Sequence, residues 1–188
     1  MRRLIVSMHI TIDGFISGPH GELDWHFKNW TPDMADSMCC QLSNADTILL
    51  GRNTYNAMAA YWPAVSEGLD MARDDIAFAW MMNNYTKIVC STTLDTLSWN
   101  NSRLIKGNLL RQILQLKQQE GKDIIIYGSG KLVRYLARHS VVDEYRLWVY
   151  PVSIGRGITL FKNKLNMKLL KTQSFPSGVI ILNYEVCK

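Results

Sequence analysis

The sequence predicts an α/β protein with a mostly parallel central sheet, flanking helices and an antiparallel hairpin at the C-terminal edge. Three observations carry that prediction. Short strand-like runs alternate with helically spaced segments as far as Val142, the order that builds parallel sheets. Asp123 to Tyr127 is apolar without alternation, as a strand covered on both faces must be. After Val142 the segments Tyr145–Ile154, Met167–Phe175 and Val179–Val186 follow one another with short turns, the pattern of neighbouring antiparallel strands. At 188 residues, 47% hydrophobic and 20% charged, the chain is long enough to close one core. A single domain over residues 1–188 is expected.

Taken in order, Leu4 to Asp13 places Leu4, Val6, Met8, Ile10 and Ile12 on one face and Ser7, His9, Thr11 and Asp13 on the other, a period of two that predicts a strand with one oily face and one face needing an explanation. The stretch from Gly14 to Phe27 is rich in glycine and aromatic residues and predicts a functional loop. Thr31, Pro32 and Asp33 supply a helix cap, a first-turn proline and an early carboxylate, with Met34, Met38, Leu42 and Ala45 at helical spacing behind them. Thr47–Leu50 and Lys87–Ser91 read as strands, and Leu69–Met82 as a helix in which Leu69, Ala72, Ile76 and Ala79 share a face. Asn108 is placed to cap a helix from Leu109 to Gln119 that ends at Gly121, and Gly128-Ser129-Gly130 opens a helix over Lys131–Arg138.

The composition narrows the function. No segment reaches the roughly 18 uninterrupted apolar residues of a spanning helix, and the Met-Arg-Arg start is unlike a leader; a soluble, cytoplasmic protein with no membrane partner is expected. Cys39, Cys40, Cys90 and Cys187 lack CxxC spacing, and His9, His20, His26 and His139 lack ligand spacing, so no metal site is predicted and the histidines read as structural or surface residues. The net charge of +5 is scattered rather than clustered, which disfavours nucleic acid and suits a phosphorylated small molecule.

Three strand ends carry anion-compatible groups. Gly51-Arg52-Asn53-Thr54 offers close backbone approach, a bidentate cation and a hydroxyl placed to cap the next helix. Gly128-Ser129-Gly130-Lys131 repeats the logic at a strand-to-helix switch, without the third glycine of a dinucleotide fingerprint or the Gly-Lys-Ser/Thr of a P-loop. Ser91-Thr92-Thr93 adds small donors. Each alone also fits a routine turn. Together they predict one rim, because ligands of open α/β sheets bind beyond the carboxyl ends of the strands. Asp13 stands at that rim as a carboxylate able to orient a substrate or relay a proton, and Asp24-Trp25 pairs a carboxylate with a ring that can stack on a heterocycle. No nucleophile elbow or paired-carboxylate motif supports a hydrolase.

The ordered motifs TIDGFISGPHGELDW, ADTILLGRNTY, Trp62-Pro63, KIVCSTTL, DIIIYGSGKLVRYL and VDEYRLWVYPVSIGRGITLF resemble the dihydrofolate-reductase-like family, in the branch of the reductase domain of riboflavin biosynthesis, over essentially the whole chain. The resemblance implies a three-layer dihydrofolate-reductase-like fold, NADPH as cofactor and a homodimer. It implies Gly51, Arg52 and Thr54 at the adenosine half, Ser91 and Thr92 at the 2′-phosphate end, and Gly128, Ser129, Gly130, Lys131 and Leu132 at the pyrophosphate. Ile12, Asp13 and Gly14 would border the nicotinamide, with Gly21–Trp25 closing over it. The implied activity is reduction of a ribosylaminopyrimidine, 5-amino-6-(5-phosphoribosylamino)uracil in the first instance. Alternatives are a dihydrofolate or pterin reductase and an NADP-binding module without turnover. For the folate reading, Asp33 and Asp36 lie near the place of the helical carboxylate that grips a pterin, although capping already accounts for Asp33.

Overall fold

A computed structural model describes residues 1–27, 29–65 and 74–187. Its eight-stranded sheet has the order β5-β4-β3-β6-β1-β7-β10-β9, with β1 (Leu4–Thr11), β3 (Ala45–Gly51), β4 (Thr86–Cys90), β5 (Ser102–Ile105), β6 (Asp123–Tyr127), β7 (Glu144–Tyr150), β9 (Met167–Ser174) and β10 (Ile180–Val186). All pairings from β5 to β7 are parallel, while β10 runs antiparallel to both β7 and β9. The mostly parallel sheet with an antiparallel C-terminal edge is thus the observed architecture. A two-stranded antiparallel pair, β2 (Phe15–Ser17) with β8 (Ile158–Thr159), lies apart from it.

The helices are α1 (Asp24–Phe27), α2 (Pro32–Ser43), α3 (Arg52–Val65), α4 (Asp74–Asn84), α5 (Leu109–Gln118) and α6 (Gly130–Arg138). On one face of the sheet Leu4, Val6, Met8 and Ile10 join Ile113 and Leu116 of α5 and Val133 and Leu136 of α6. On the other, Ile48, Leu50, Trp148 and Tyr150 join Met34, Met38 and Leu42 of α2. Each such fully buried aliphatic chain contributes about 1.5–3 kcal/mol, so truncating Leu42 to alanine costs about 2–5 kcal/mol once the cavity is counted.

The polar face of β1 is not a solvent face. Ser7 and Thr11 are buried, and Ser7 Oγ donates to Gln41 Oε1 of α2 at 3.1 Å while accepting from Trp148 Nε1 at 3.1 Å. Gln41 of α2 and Trp148 of β7 supply the partners that Ser7 requires out of water, and Thr11 finds its own in the Asp13 carboxylate and the Phe15 N–H.

Several boundaries differ from expectation. β1 stops at Thr11, where Gly14 N–H bonds Thr11 O in a tight turn, and β7 stops at Tyr150 before Pro151 rather than reaching Ile154. The segment from Gly14 to Phe27, expected as loop, contains β2 and α1. β5 was not anticipated, since Ser102-Arg103-Leu104-Ile105 is too short and mixed to show a period. Helix α2 starts where expected, but Thr31 makes no side-chain cap; the carboxylate of Asp33 takes the Met34 N–H instead. Asn108 likewise precedes α5 in the left-handed region without a side-chain cap. Of the predicted helix Leu69–Met82, residues 69–73 lie outside the described residues; within α4 Ile76 is exposed, and the buried side is Ala79, Met81 and Met82.

Candidate functional site

The carboxyl ends of β4, β3, β6 and β1 stand side by side in that order. The groups read from the sequence therefore line up as Ser91 and Thr92, then Gly51, Arg52 and Thr54, then Gly128 to Leu132, then Ile12 to Gly14. Three strand spacings separate the ends of this row, about 14 Å.

Hydrogen bonds link adjoining members. The guanidinium of Arg52, exposed at the start of α3, donates to Thr93 Oγ1 at 2.7 Å, and Ser91 Oγ accepts the N–H groups of Thr93 and Leu94. Ser129 Oγ accepts the Gly51 N–H at 2.7 Å and donates to Thr54 Oγ1 at 2.8 Å. Thr54 thus lies inside the first turn of α3 and bonds across to the β6 loop rather than capping its own helix. The glycines have a packing reason: a Cβ on Gly51 would lie 3.0 Å from Ser129 Oγ, and one on Gly128, which holds φ +65°, 3.1 Å from Thr54 Cγ2. The two loops close on each other to within van der Waals contact, which leaves little room for a side chain at either position, and the positive φ of Gly128 favours glycine there.

Ser129, itself at φ +61°, precedes α6. The first-turn N–H groups of α6, at Gly130, Lys131 and Leu132, have no acceptor within a helix and carry its positive dipole end. Lys131 is exposed beside them, whereas the Leu132 side chain is buried in the core and contributes only its backbone. This set fits a dinucleotide pyrophosphate.

At the end of β1, Ile12 is 68% exposed and Gly14 is in the left-handed region. Asp13 is an anchored anion. Its carboxylate accepts from the Thr11 and Ser153 hydroxyls and from the N–H groups of Ile154 and Gly155. The Thr11 hydroxyl first, then Ser153 and Gly155, lower its pKa to about 2. A group so supplied with donors ties β1 to residues 153–155 and is ionised at neutral pH.

The second part of the site was not anticipated. His9 stacks against Trp148 (centroids 5.5 Å, planes 7° apart), Trp30 (5.9 Å) and Tyr150 (5.3 Å), with His26 edge-on at 5.2 Å. Trp25 is buried and meets Tyr150 edge-on at 5.3 Å, while Asp24 is exposed at the start of α1. His9 Nδ1 lies 2.8 Å from Tyr150 Oη. Burial first, and the neighbouring His26 second, lower the His9 pKa to about 3; burial also lowers that of His26. Both rings are uncharged near neutrality. Asp33 and Asp36, by contrast, are exposed, and the buried side of α2 is Met34, Met38 and Leu42. That side presents no carboxylate to the aromatic cluster.

Parity along β1 was the available signal for His9, which shares a face with Ser7 and Thr11; its partners were hidden because the register that sets His9 against Trp148 and Thr11 against Tyr150 joins segments 139 residues apart. No cluster of histidine, cysteine or acidic residues among the described residues can hold a metal ion, and no helix among them is long and apolar enough to cross a membrane.

Comparison with known proteins agrees with this architecture. The structure superposes on dihydrofolate reductase from Enterococcus faecalis in complex with NADP(H), with a TM-score of 0.64 at 15% identity, covering 99% of this chain and 97% of that one. It superposes also on a diaminohydroxyphosphoribosylaminopyrimidine deaminase/5-amino-6-(5-phosphoribosylamino)uracil reductase from Thermotoga maritima, with a TM-score of 0.69 at 13% identity, covering 99% of this chain and 57% of that one. The fold is the dihydrofolate-reductase-like one. The model of the RibD C-terminal domain matches residues 2–181, and the chain belongs to that family. The uncharacterized protein YyaP of Bacillus subtilis (strain 168) is 35% identical over 188 residues, covering 98% of this chain and 95% of that protein.

Proposed function

We propose that the protein is an NADPH-dependent reductase of a planar nitrogen heterocycle, with 5-amino-6-(5-phosphoribosylamino)uracil or a close relative as the first substrate to test. The observation that carries this reading is the order of groups along the rim. A cationic and hydroxylic end at Arg52, Ser91 and Thr93, a helix N-terminus at Gly130 and an aromatic cluster at β1 and β7 follow one another as the parts of a dinucleotide and its reaction partner would. Family membership and the activity named for the Thermotoga maritima protein support it.

NADPH, when bound, supplies the hydride. Arg52, Ser91 and Thr92 would hold its 2′-phosphate end, Gly51 and Thr54 the adenosine half, the α6 N–H groups and Lys131 the pyrophosphate, and the backbone of Ile12 and Gly14 the nicotinamide. The remaining residues position the substrate and exclude water: Trp25, Trp30 and Trp148 pack about His9 and Tyr150, and β2 covers the start of α6, where Ile16 packs on Gly130. Asp13 acts indirectly, by fixing the end of β1.

The test is a titration with NADPH and NADH of the wild type and Arg52→Ala. Arginine reads a terminal phosphate through a charge-assisted pair, so NADPH affinity is expected to fall by about tenfold or more while NADH is little affected. Loss of NADPH absorbance on adding ribosylaminopyrimidine or pterin substrates then reports turnover. Equal affinity of both proteins for both nucleotides removes the clamp assignment. Saturable NADPH binding without turnover on any substrate favours a binding module, a reading that the lack of a proton donor at Asp13 supports.

A further inference from the structure

The aromatic cluster of β1 and β7 holds a histidine that the proposed reaction does not use. Tyr150 is fully buried, and His9 Nδ1 is the single side-chain or backbone partner of its hydroxyl among the described residues. A buried phenol must place its proton on an acceptor, and a neutral imidazole has one acceptor nitrogen. The assignment that satisfies both groups has Tyr150 Oη–H donating to His9 Nδ1, which puts the imidazole proton on Nε2. That nitrogen has no partner among the described residues, and His9 keeps part of its surface accessible. The same cluster contains a second unused donor: Trp25 Nε1–H is buried without a hydrogen-bond partner among the described residues.

We infer that His9 is a specificity-determining residue for the heterocycle, offering an uncharged Nε2–H donor, oriented by Tyr150, to a carbonyl edge of a planar ring bound against the aromatic cluster. This deepens the reductase reading and rests on it for the cluster's bordering the substrate site. The preference follows from the donor inventory. The N–H donor of His9 matches a carbonyl acceptor of a pyrimidine-2,4-dione edge. An amino-substituted edge brings its own N–H donors and needs a carboxylate, and the nearby acidic residues Asp24, Asp33 and Asp36 are all exposed. A site built to hydrogen-bond one functional group discriminates strongly against an analogue that leaves its donors unpaired.

Lumazine and pterin form a matched pair of probes, alike except for an oxo or an amino group at one carbon of the pyrimidine ring. Calorimetric titration of each, with and without NADPH, is expected to show lumazine binding at least about tenfold tighter than pterin. His9→Phe keeps a stacking ring and removes the donor, and should bring the ratio close to one; His9→Gln restores a donor and should recover part of it. Nitrogen chemical shifts of the His9 ring should show the Nε2–H tautomer in the wild type and lose that bias in Tyr150→Phe, a readout that a merely structural role for Tyr150 would not move. Equal or reversed preference in the wild type, an unchanged ratio in His9→Phe, an Nδ1–H tautomer, or no binding of either probe at millimolar concentration overturns the inference. Because both probes are titrated without NADPH as well, a lumazine preference in a protein that fails to bind NADPH would sink the reductase reading and leave His9 standing, and the opposite result would do the reverse.

Discussion

The depressed pKa of His9 makes stability depend on pH in a defined window. The unfolded chain takes up a proton at 6.5, the folded one only near 3. Between those values the unfolded state binds more protons, so the stability contributed by the neutral ring is fully present above 6.5 and is lost as pH falls toward 3. Going from about pH 7 to about pH 4.5 this amounts to about 2.5 kcal/mol as an upper figure, at 1.36 kcal/mol per unit of separation. For a chain of this size it corresponds to a fall of about 5–10 °C in Tm. The perturbation is His9→Phe, which removes the titration. It also strips Tyr150 of its acceptor, a cost of about 1–3 kcal/mol that is the same at both pH values and cancels in the comparison. Urea denaturation of both proteins at the two pH values gives the four stabilities required. The wild type should lose about 2.5 kcal/mol more than the variant. Equal losses in the two proteins would refute the claim that this ring is kept neutral by its surroundings.

Two further outcomes follow from the fold and the rim. Lys87 is fully buried, with its ammonium 2.9 Å from the carbonyl oxygens of Met82, Asn83 and Tyr85 at the end of α4 and 4.5 Å from the Trp99 ring; Lys87→Met should cost about 3 kcal/mol, since it orphans three carbonyls at once, and a calorimetric Tm lowered by less than a few degrees would contradict that role. At position 129, alanine should cost about 1–2 kcal/mol by removing the acceptor of the Gly51 N–H, whereas glycine should recover about 1 kcal/mol of that by relieving the positive φ; denaturant midpoints that rank alanine above glycine would refute this reading of the loop.

By itself the sequence determined the alternation of elements, the buried strand Asp123–Tyr127, the C-terminal hairpin and the strand-end groups Gly51, Arg52 and Ser129, because these are local properties: periodicity, apolar runs and turn residues appear in the chain before it folds. It also posed the polar face of β1 as a question without containing the answer. The tertiary structure decided what that face is for, since the strand register brings Trp148 and Tyr150 beside His9 and Thr11 from 139 positions away. It likewise gave Asp13 a bracing role at the end of β1, through donors from Ser153, Ile154 and Gly155 about 140 positions away. Protonation states and hydrogen-bond saturation depend on distance and burial, and both are set only when remote segments pack together.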